Sequence, residues 1–165
     1  MSTKEWRTSN PSGSLRVVVT KELPGTRWLD VLSAADCRIE ICTSPDVLTV
    51  EEISAAIGSS CDGVIGQLTE DWSDALFSAL KEAGGRAYSN YAVGFNNVDV
   101  PVATGHGIPV GNTPGVLTET TAEMAVALTF AAARRDVEAD GFMRCLLYKS
   151  DAADDLWSVV GGGRP

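Results

Sequence analysis

The sequence predicts a doubly wound α/β fold, with a parallel sheet and helices on both of its faces. Three observations predict it. Short, β-branched apolar runs alternate with longer stretches of helical periodicity. The strand–helix order recurs about five times along the chain. The runs are joined through helical segments, as parallel strands require, rather than through tight hairpins. No internal repeat appears.

The elements follow in order. Residues 1–13 are polar and lack the apolar centre of a signal peptide, so they are expected to be a flexible N-terminus. Leu15-Arg16-Val17-Val18-Val19-Thr20 reads as the first strand. Residues 25–35 carry Trp28, Leu29, Val31 and Leu32 at helical spacing. Residues 38–42 form a second short strand. Thr49, followed by Glu51 and Glu52, opens a helix through Ile57, and Gly58 closes it. Asp62-Gly63-Val64-Ile65-Gly66 is a third strand. Residues 69–83 are expected to be a helix with Trp72, Leu76 and Leu80 on one face, closed by Gly84-Gly85. Residues 87–89 and 108–110 are a fourth and a fifth strand, separated by one or two helical turns over residues 100–107. An alanine-rich helix is expected from Thr118 to at least Phe142. The order and lengths point to a flavodoxin-like sheet over residues 14–117, with the long helix over residues 118–144 leading out of it.

Composition excludes several classes. The formal net charge is −9, and no Lys/Arg cluster offsets it, so no nucleic-acid partner is expected. No apolar run is long enough to span a bilayer, so no membrane partner is expected either. Cys37, Cys42, Cys61 and Cys145 form no CxxC pair; they read as reduced thiols, with Cys37 and Cys61 buried and no metal site. GxGxxG, P-loop and nucleophile-elbow motifs are absent, and Gly161-Gly162-Gly163 has no strand before it and no helix after it.

The character of the chain changes after Arg144. Cys145-Leu146-Leu147-Tyr148-Lys149-Ser150-Asp151-Ala152-Ala153-Asp154 resembles the translation of a transposase-type sequencing adapter, with Lys149 as the one departure in that string. Residues 145–165 are therefore expected to be a non-native tail and are set aside from fold reasoning. The other reading is a flexible C-terminus, which its glycines and proline would suit.

Two stretches could carry chemistry. Ser89-Asn90-Tyr91-Ala92-Val93-Gly94-Phe95-Asn96-Asn97-Val98-Asp99 follows the fourth strand, where parallel sheets place their ligands. Gly94 would let backbone N–H groups approach an anion such as a carboxylate. A plain strand-to-helix turn, which Asn96-Asn97 suit, explains the same residues. Residues 111–123 join the fifth strand to the long helix, and their hydroxyls could meet a polar ligand or simply cap the helix. His106 reads as a solvated histidine at a helix end, and Glu70 and Asp71 as helix N-terminal charges rather than an acid/base pair.

Taken together, these stretches resemble plant-type hydroxypyruvate reductase, in the D-isomer-specific 2-hydroxyacid dehydrogenase family. The resemblance rests on Val17-Val18-Val19-Thr20 with Pro24-Gly25-Thr26-Arg27-Trp28, and on residues 61–72, which run from Cys61 through Gln67-Leu68-Thr69-Glu70 to Trp72. It rests also on Ala92-Val93-Gly94-Phe95-Asn96-Asn97-Val98-Asp99, on residues 111–123 and on Ala131-Ala132-Ala133-Arg134-Arg135. It covers about residues 13 to 144. It implies reduction of hydroxypyruvate to D-glycerate, and often glyoxylate to glycolate, by NADH or NADPH in a cleft between two domains. The flavodoxin-like part would be the substrate domain. Val93 and Gly94 would offer backbone donors to the substrate carboxylate, Gln67 and Leu68 would line the cleft, and Thr121 would approach the nicotinamide end of the cofactor.

The resemblance also implies what lies outside the chain. The family's Rossmann domain and its catalytic arginine, glutamate and histidine follow the long helix, so no catalytic residue is expected here, and His106 matches none of them. The cofactor belongs to the full-length parent and none is expected to bind this chain tightly, which alone is expected to be inactive. The parent would be a homodimer acting on a small 2-oxo or 2-hydroxy acid. It would be peroxisomal, or cytosolic if a targeting signal is absent. The long helix is apolar around much of its circumference, so the chain alone is expected to self-associate. Two alternatives stand: another 2-hydroxyacid dehydrogenase acting on glyoxylate or phosphoglycerate, and a free-standing flavodoxin-like binding module.

Overall fold

The computed structural model describes residues 4–144. The non-native tail expected over residues 145–165, with Cys145 and Gly161-Gly162-Gly163, lies outside the described residues, as do residues 1–3. The chain divides into two compact units, residues 1–116 and residues 117–165.

The first unit is built on a six-stranded sheet in the order β1-β3-β2-β4-β5-β6. Its strands are β1 Trp6–Ser9, β2 Leu15–Val19, β3 Cys37–Cys42, β4 Gly63–Gly66, β5 Ala87–Asn90 and β6 Val110–Gly111. The last five are parallel, and their order is that of a flavodoxin-like sheet. The flexible N-terminus expected over residues 1–13 needs correction: residues 6–9 pair antiparallel with β3 along Trp6↔Cys42 to Ser9↔Ile39. A polar sequence suffices there because an edge strand draws its stability from the ladder, and one face meets solvent.

The helices are α1 Arg27–Ala34, α2 Val50–Ile57, α3 Asp74–Glu82 and α4 Val100–Gly105. Successive side chains of each strand point to opposite faces, and the two cores follow that period. Val17 and Val19 with Ile39 and Ile41 pack against Trp28, Leu29 and Leu32 of α1. Val18, Val64 and Tyr88 face the other way, against Ile53 and Ile57 of α2, Leu76, Phe77 and Leu80 of α3, and Ala103 of α4. Stepping from β2 through α1 to β3, then back across β2 through α2 to β4, reverses the winding. That reversal is a topological switch point between β2 and β4, where doubly wound folds bind ligands beyond the strand ends.

Local sequence explains the helix ends. Thr49 and Glu52 form a reciprocal capping box, and Gly58 leaves α2 at φ 61°. Asp99 caps α4 by accepting the Val102 N–H at 3.0 Å. Cys37, Cys42 and Cys61 are buried free thiols.

Two expected helices change. α3 starts at Asp74 rather than Thr69, because Trp72 is fully buried and bridges to Val98, which pulls residues 69–73 out of helical conformation. In the second unit the expected continuous helix is two: α5 Thr118–Arg134 and α6 Asp136–Arg144, with Arg135 left-handed at φ 55° between them. Asp136 and Glu138 favour the first turn of a new helix, and Arg135 pairs with Glu138. No side chain of either helix is buried, so end charges rather than packing decide where the helix breaks. No helix of the described residues is long and apolar enough to cross a membrane.

Candidate functional site

Three strand ends meet at the carboxyl edge of the sheet. β4 runs out into Gln67 and Leu68, β5 into Tyr91 and the loop over residues 91–99, and β6 into Asn112 and Thr113. The loops are stitched to one another through their backbones. The Tyr91 N–H donates to Gly66 O at 2.8 Å and the Thr113 N–H to Ala92 O at 2.9 Å. The Asn112 amide donates to Val93 O at 2.8 Å.

A buried polar network underlies this stitching. Asn90 is fully buried at the end of β5. Its Nδ2 donates to Gly94 O and to Asn97 Oδ1, each at 3.0 Å, and its Oδ1 accepts the Tyr88 hydroxyl at 3.0 Å. Asn97 Nδ2 donates to Gln67 O at 3.1 Å and to Glu70 O at 2.9 Å. One asparagine therefore holds the β5 loop by its own backbone, and the other fastens it to the β4 loop. Every polar side-chain atom buried by this arrangement has a partner except Gln67 Nε2.

Glu70 departs from its expected role. It is not a helix N-terminal charge but a carboxyl only 4% exposed. Its Oε2 accepts the Gln67 N–H at 3.1 Å and the Trp72 Nε1–H at 3.0 Å. Burial pushes this carboxyl above the usual carboxylate range, against the Thr20 hydroxyl, the Trp72 indole and the Gln67 amide, which favour the ionised form. Gly66 makes room for it: a Cβ there would lie 2.5 Å from Tyr88 Oη and 2.7 Å from Glu70 Oε2. Asp71, by contrast, is exposed.

The residues expected to bind substrate come together above this network. Among the described residues, neither the Val93 nor the Gly94 N–H has an acceptor. They open a run of such N–H groups over residues 93–97, on an exposed loop where an anion such as a carboxylate could accept from them. Leu68 is exposed, and its Cδ1 would lie 3.9 Å from a Cβ added at Gly94. Gly94 itself has no left-handed φ and no neighbour that forbids a side chain. The fold does not require glycine at that position, so the space it leaves is open to a ligand.

Thr121 lies in the first turns of α5, in the second unit, and is exposed. His106 is the C-cap of α4, with its Nε2 2.9 Å from Asp74 Oδ1, a helix-end role. No group of His, Cys, Asp or Glu among the described residues could hold a metal ion. A dinucleotide does not fit these residues either: the turn from β2 to α1 carries a single glycine, Gly25, and no described strand-to-helix turn is the glycine-rich kind that a pyrophosphate needs.

Comparison with known proteins bears on the site. Residues 17–153 match the family model "D-isomer specific 2-hydroxyacid dehydrogenase, catalytic domain", a match that runs past Arg144. The chain is 64% identical over 140 residues to a glycerate dehydrogenase of Cucumis sativus, covering 84% of this chain and 37% of that protein. It is 63% identical over 141 residues to the peroxisomal glycerate dehydrogenase HPR of Arabidopsis thaliana, covering 85% of this chain and 36% of that protein. Among solved structures, the TT0316 protein of Thermus thermophilus superposes with a TM-score of 0.70 at 33% identity, over 81% of this chain and 41% of that one. The chain thus spans little more than a third of the length of the curated relatives it matches.

Proposed function

Because the chain belongs to the D-isomer specific 2-hydroxyacid dehydrogenase family, we propose that it is the substrate-binding part of a reductase. The reductase converts hydroxypyruvate to D-glycerate, and glyoxylate to glycolate, with NADH or NADPH. In this reading the Val93 and Gly94 amides receive the carboxylate of the 2-oxo acid, while Leu68 and Gln67 border its carbon chain. The observation that carries it is the juxtaposition of Leu68 with a Gly94 that the fold does not require, at the start of a run of N–H groups over residues 93–97 without acceptors among the described residues. Those donors cost little to aim, because the Asn90 and Asn97 amides hold the loop before any ligand arrives.

The groups that deliver hydride and proton belong to the rest of the parent protein, so this chain alone is inactive. Thr121 would face the cofactor in the complete enzyme. Residues 145–165 are foreign to the parent in this reading. The parent is a homodimer, and its dimer contact uses α5, where Met124, Leu128 and Phe130 are exposed. The parent is peroxisomal, in line with the name of its Arabidopsis relative.

Steady-state assays test the reading. The parent, cloned by extending the transcript past the codon for Arg144, should oxidise NADH or NADPH with hydroxypyruvate, and more weakly with glyoxylate. The purified 165-residue chain should show no rate above background. A parent that prefers phosphohydroxypyruvate would move the assignment to another 2-hydroxyacid dehydrogenase. A transcript that ends in residues 145–165 would favour a free-standing binding module.

A further inference from the structure

Glu70 is the one charged residue among the buried polar residues described, and substrate binding as proposed above does not use it. It lies at the switch point between β2 and β4, 4% exposed, with no cation in hydrogen-bond contact. Burial of such a group is retained only where its hydrogen bonds do something that a well-packed apolar side chain would not.

Those bonds close a ring. Glu70 Oε2 accepts from the Gln67 N–H and from the Trp72 indole. The Trp72 N–H donates to Asn97 O at 2.9 Å, and Trp72 O accepts the Asp99 N–H at 2.9 Å. Asn97 Nδ2 returns to the carbonyls of Gln67 and Glu70. The ring passes through both loops of the site, the one after β4 and the one after β5. The Trp72 ring is itself fixed against Tyr88, with centroids 3.9 Å apart. Room for the carboxyl depends on Gly66 having no side chain.

We propose that Glu70 is a positioning residue: through Trp72 and Asn97 its carboxyl locks the Gln67-Leu68 segment against the loop that carries the Val93 and Gly94 amides. It touches no substrate. It sets the angle and spacing between the two walls of the carboxylate site. The functional consequence rests on the substrate reading proposed above; the mechanical consequence does not.

Kinetics of the full-length parent and amide exchange of the 165-residue chain test it together. Glu70→Leu fills the space and removes the acceptor; it should raise KM for hydroxypyruvate about tenfold, because misplaced binding groups lose affinity steeply, with kcat and the KM for NADH close to wild type. Glu70→Gln keeps an acceptor oxygen and should restore most of the loss. Ile53→Ala, in the core under α2, should lower the melting temperature without moving KM. A Glu70→Leu enzyme that melts early but keeps the wild-type KM overturns the proposal and makes Glu70 merely structural. If Glu70→Leu does not fold, Trp72→Phe keeps the ring and removes the indole donor. It should raise KM about threefold, roughly the value of one weakened hydrogen bond, and an unchanged KM is equally damaging.

An inactive wild-type parent would defeat the substrate reading rather than this one, and exchange then decides. Glu70→Leu should speed exchange at the Trp72 and Asp99 amides, and Glu70→Gln should not. Equal exchange in wild type and Glu70→Leu overturns the proposal.

Discussion

The two ends of the sheet are built on opposite principles. At the amino ends of the strands a group of charges is paired off. Arg16 binds Glu40 through Nε at 3.0 Å and Nη2 at 2.6 Å, and also donates to the carbonyls of Ala56, Ile57 and Ser60 at the end of α2. Arg38 adds a second contact to Glu40 at 2.7 Å. Asp62 accepts the Arg16 N–H at 2.8 Å and lies 3.6 Å from Arg86. At the carboxyl ends a carboxyl is buried with no cation in hydrogen-bond contact, the N–H groups of residues 93–97 have no acceptor among the described residues, and Gln67 Nε2 has no partner. One end spends its polar groups on holding the fold. The other holds polar groups in reserve, and unsatisfied donors fixed in place are what a ligand can use.

Breaking the paired end should give as large an effect as any. Arg16→Met removes one of the two guanidinium partners of Glu40, leaving Arg38, and strips the donors from the α2 carbonyls; it should cost about 2 kcal/mol of stability. Denaturant unfolding measures it. In the full-length parent the same change should leave KM for the 2-oxo acid alone. A shift in KM would mean that the two ends are coupled through β2, and the division of labour would fail.

A pair of glycines at the other end sharpens the comparison. Gly66→Ala drives a methyl into Tyr88 Oη and Glu70 Oε2 and should destabilise by about 2 kcal/mol, the usual scale of overpacking. Gly94→Ala meets nothing closer than Leu68 Cδ1 at 3.9 Å and has no left-handed φ to lose. Its stability should hold or rise by about 0.5 kcal/mol, through a less flexible unfolded chain. Its KM for hydroxypyruvate should nevertheless rise about tenfold, because the methyl occupies the approach to a precisely placed pair of donors. Thermal melting and steady-state kinetics of the full-length parent carrying each change separate the effects. A Gly94→Ala enzyme with normal KM would remove the anion from that loop.

This contrast also explains what the sequence could tell. The parallel strands and helix faces were legible mainly because β2, β3 and β4 are short apolar runs, β2 with a period that places Val18 on one core and Val17 and Val19 on the other. The loop with Val93 and Gly94 was legible as a candidate, since it follows a parallel strand and carries a glycine; only its resemblance to a family gave it a substrate. The buried role of Glu70 was not legible. An acidic residue four positions after a strand and shortly before a helix looks like an N-terminal charge, and what buries it is Trp72 pairing with Val98, a contact across 26 residues of chain. Asn97 read as a turn former, and Asn90 as a plain member of the loop, for the same reason: their partners, Gly94, Gln67 and Glu70, are assigned by the folded structure. The strand over residues 6–9 left no period to detect, being four residues long and exposed over most of its length.

The two ends should also differ in the sign of their response to pH. The Arg16 guanidinium holds Glu40 below its ordinary value of 4.5. That carboxylate therefore adds stability that is present above pH 4.5 and lost as pH falls through its lower folded value. Burial holds Glu70 above the same 4.5, so its sign is reversed. The folded chain keeps the proton more tightly than the unfolded one, and the stability this gives is full below pH 4.5 and lost as pH rises through the folded value. Urea melts of Glu40→Gln and Glu70→Gln between pH 3 and pH 8 read both. Glu40→Gln should be weaker than wild type at neutral pH and approach it in acid. Glu70→Gln should gain on wild type as pH rises, because a neutral amide has no charge to desolvate. A Glu70→Gln curve parallel to wild type would mean that Glu70 ionises as easily as an exposed carboxylate, and the carboxyl end of the sheet would then be no more strained than the amino end.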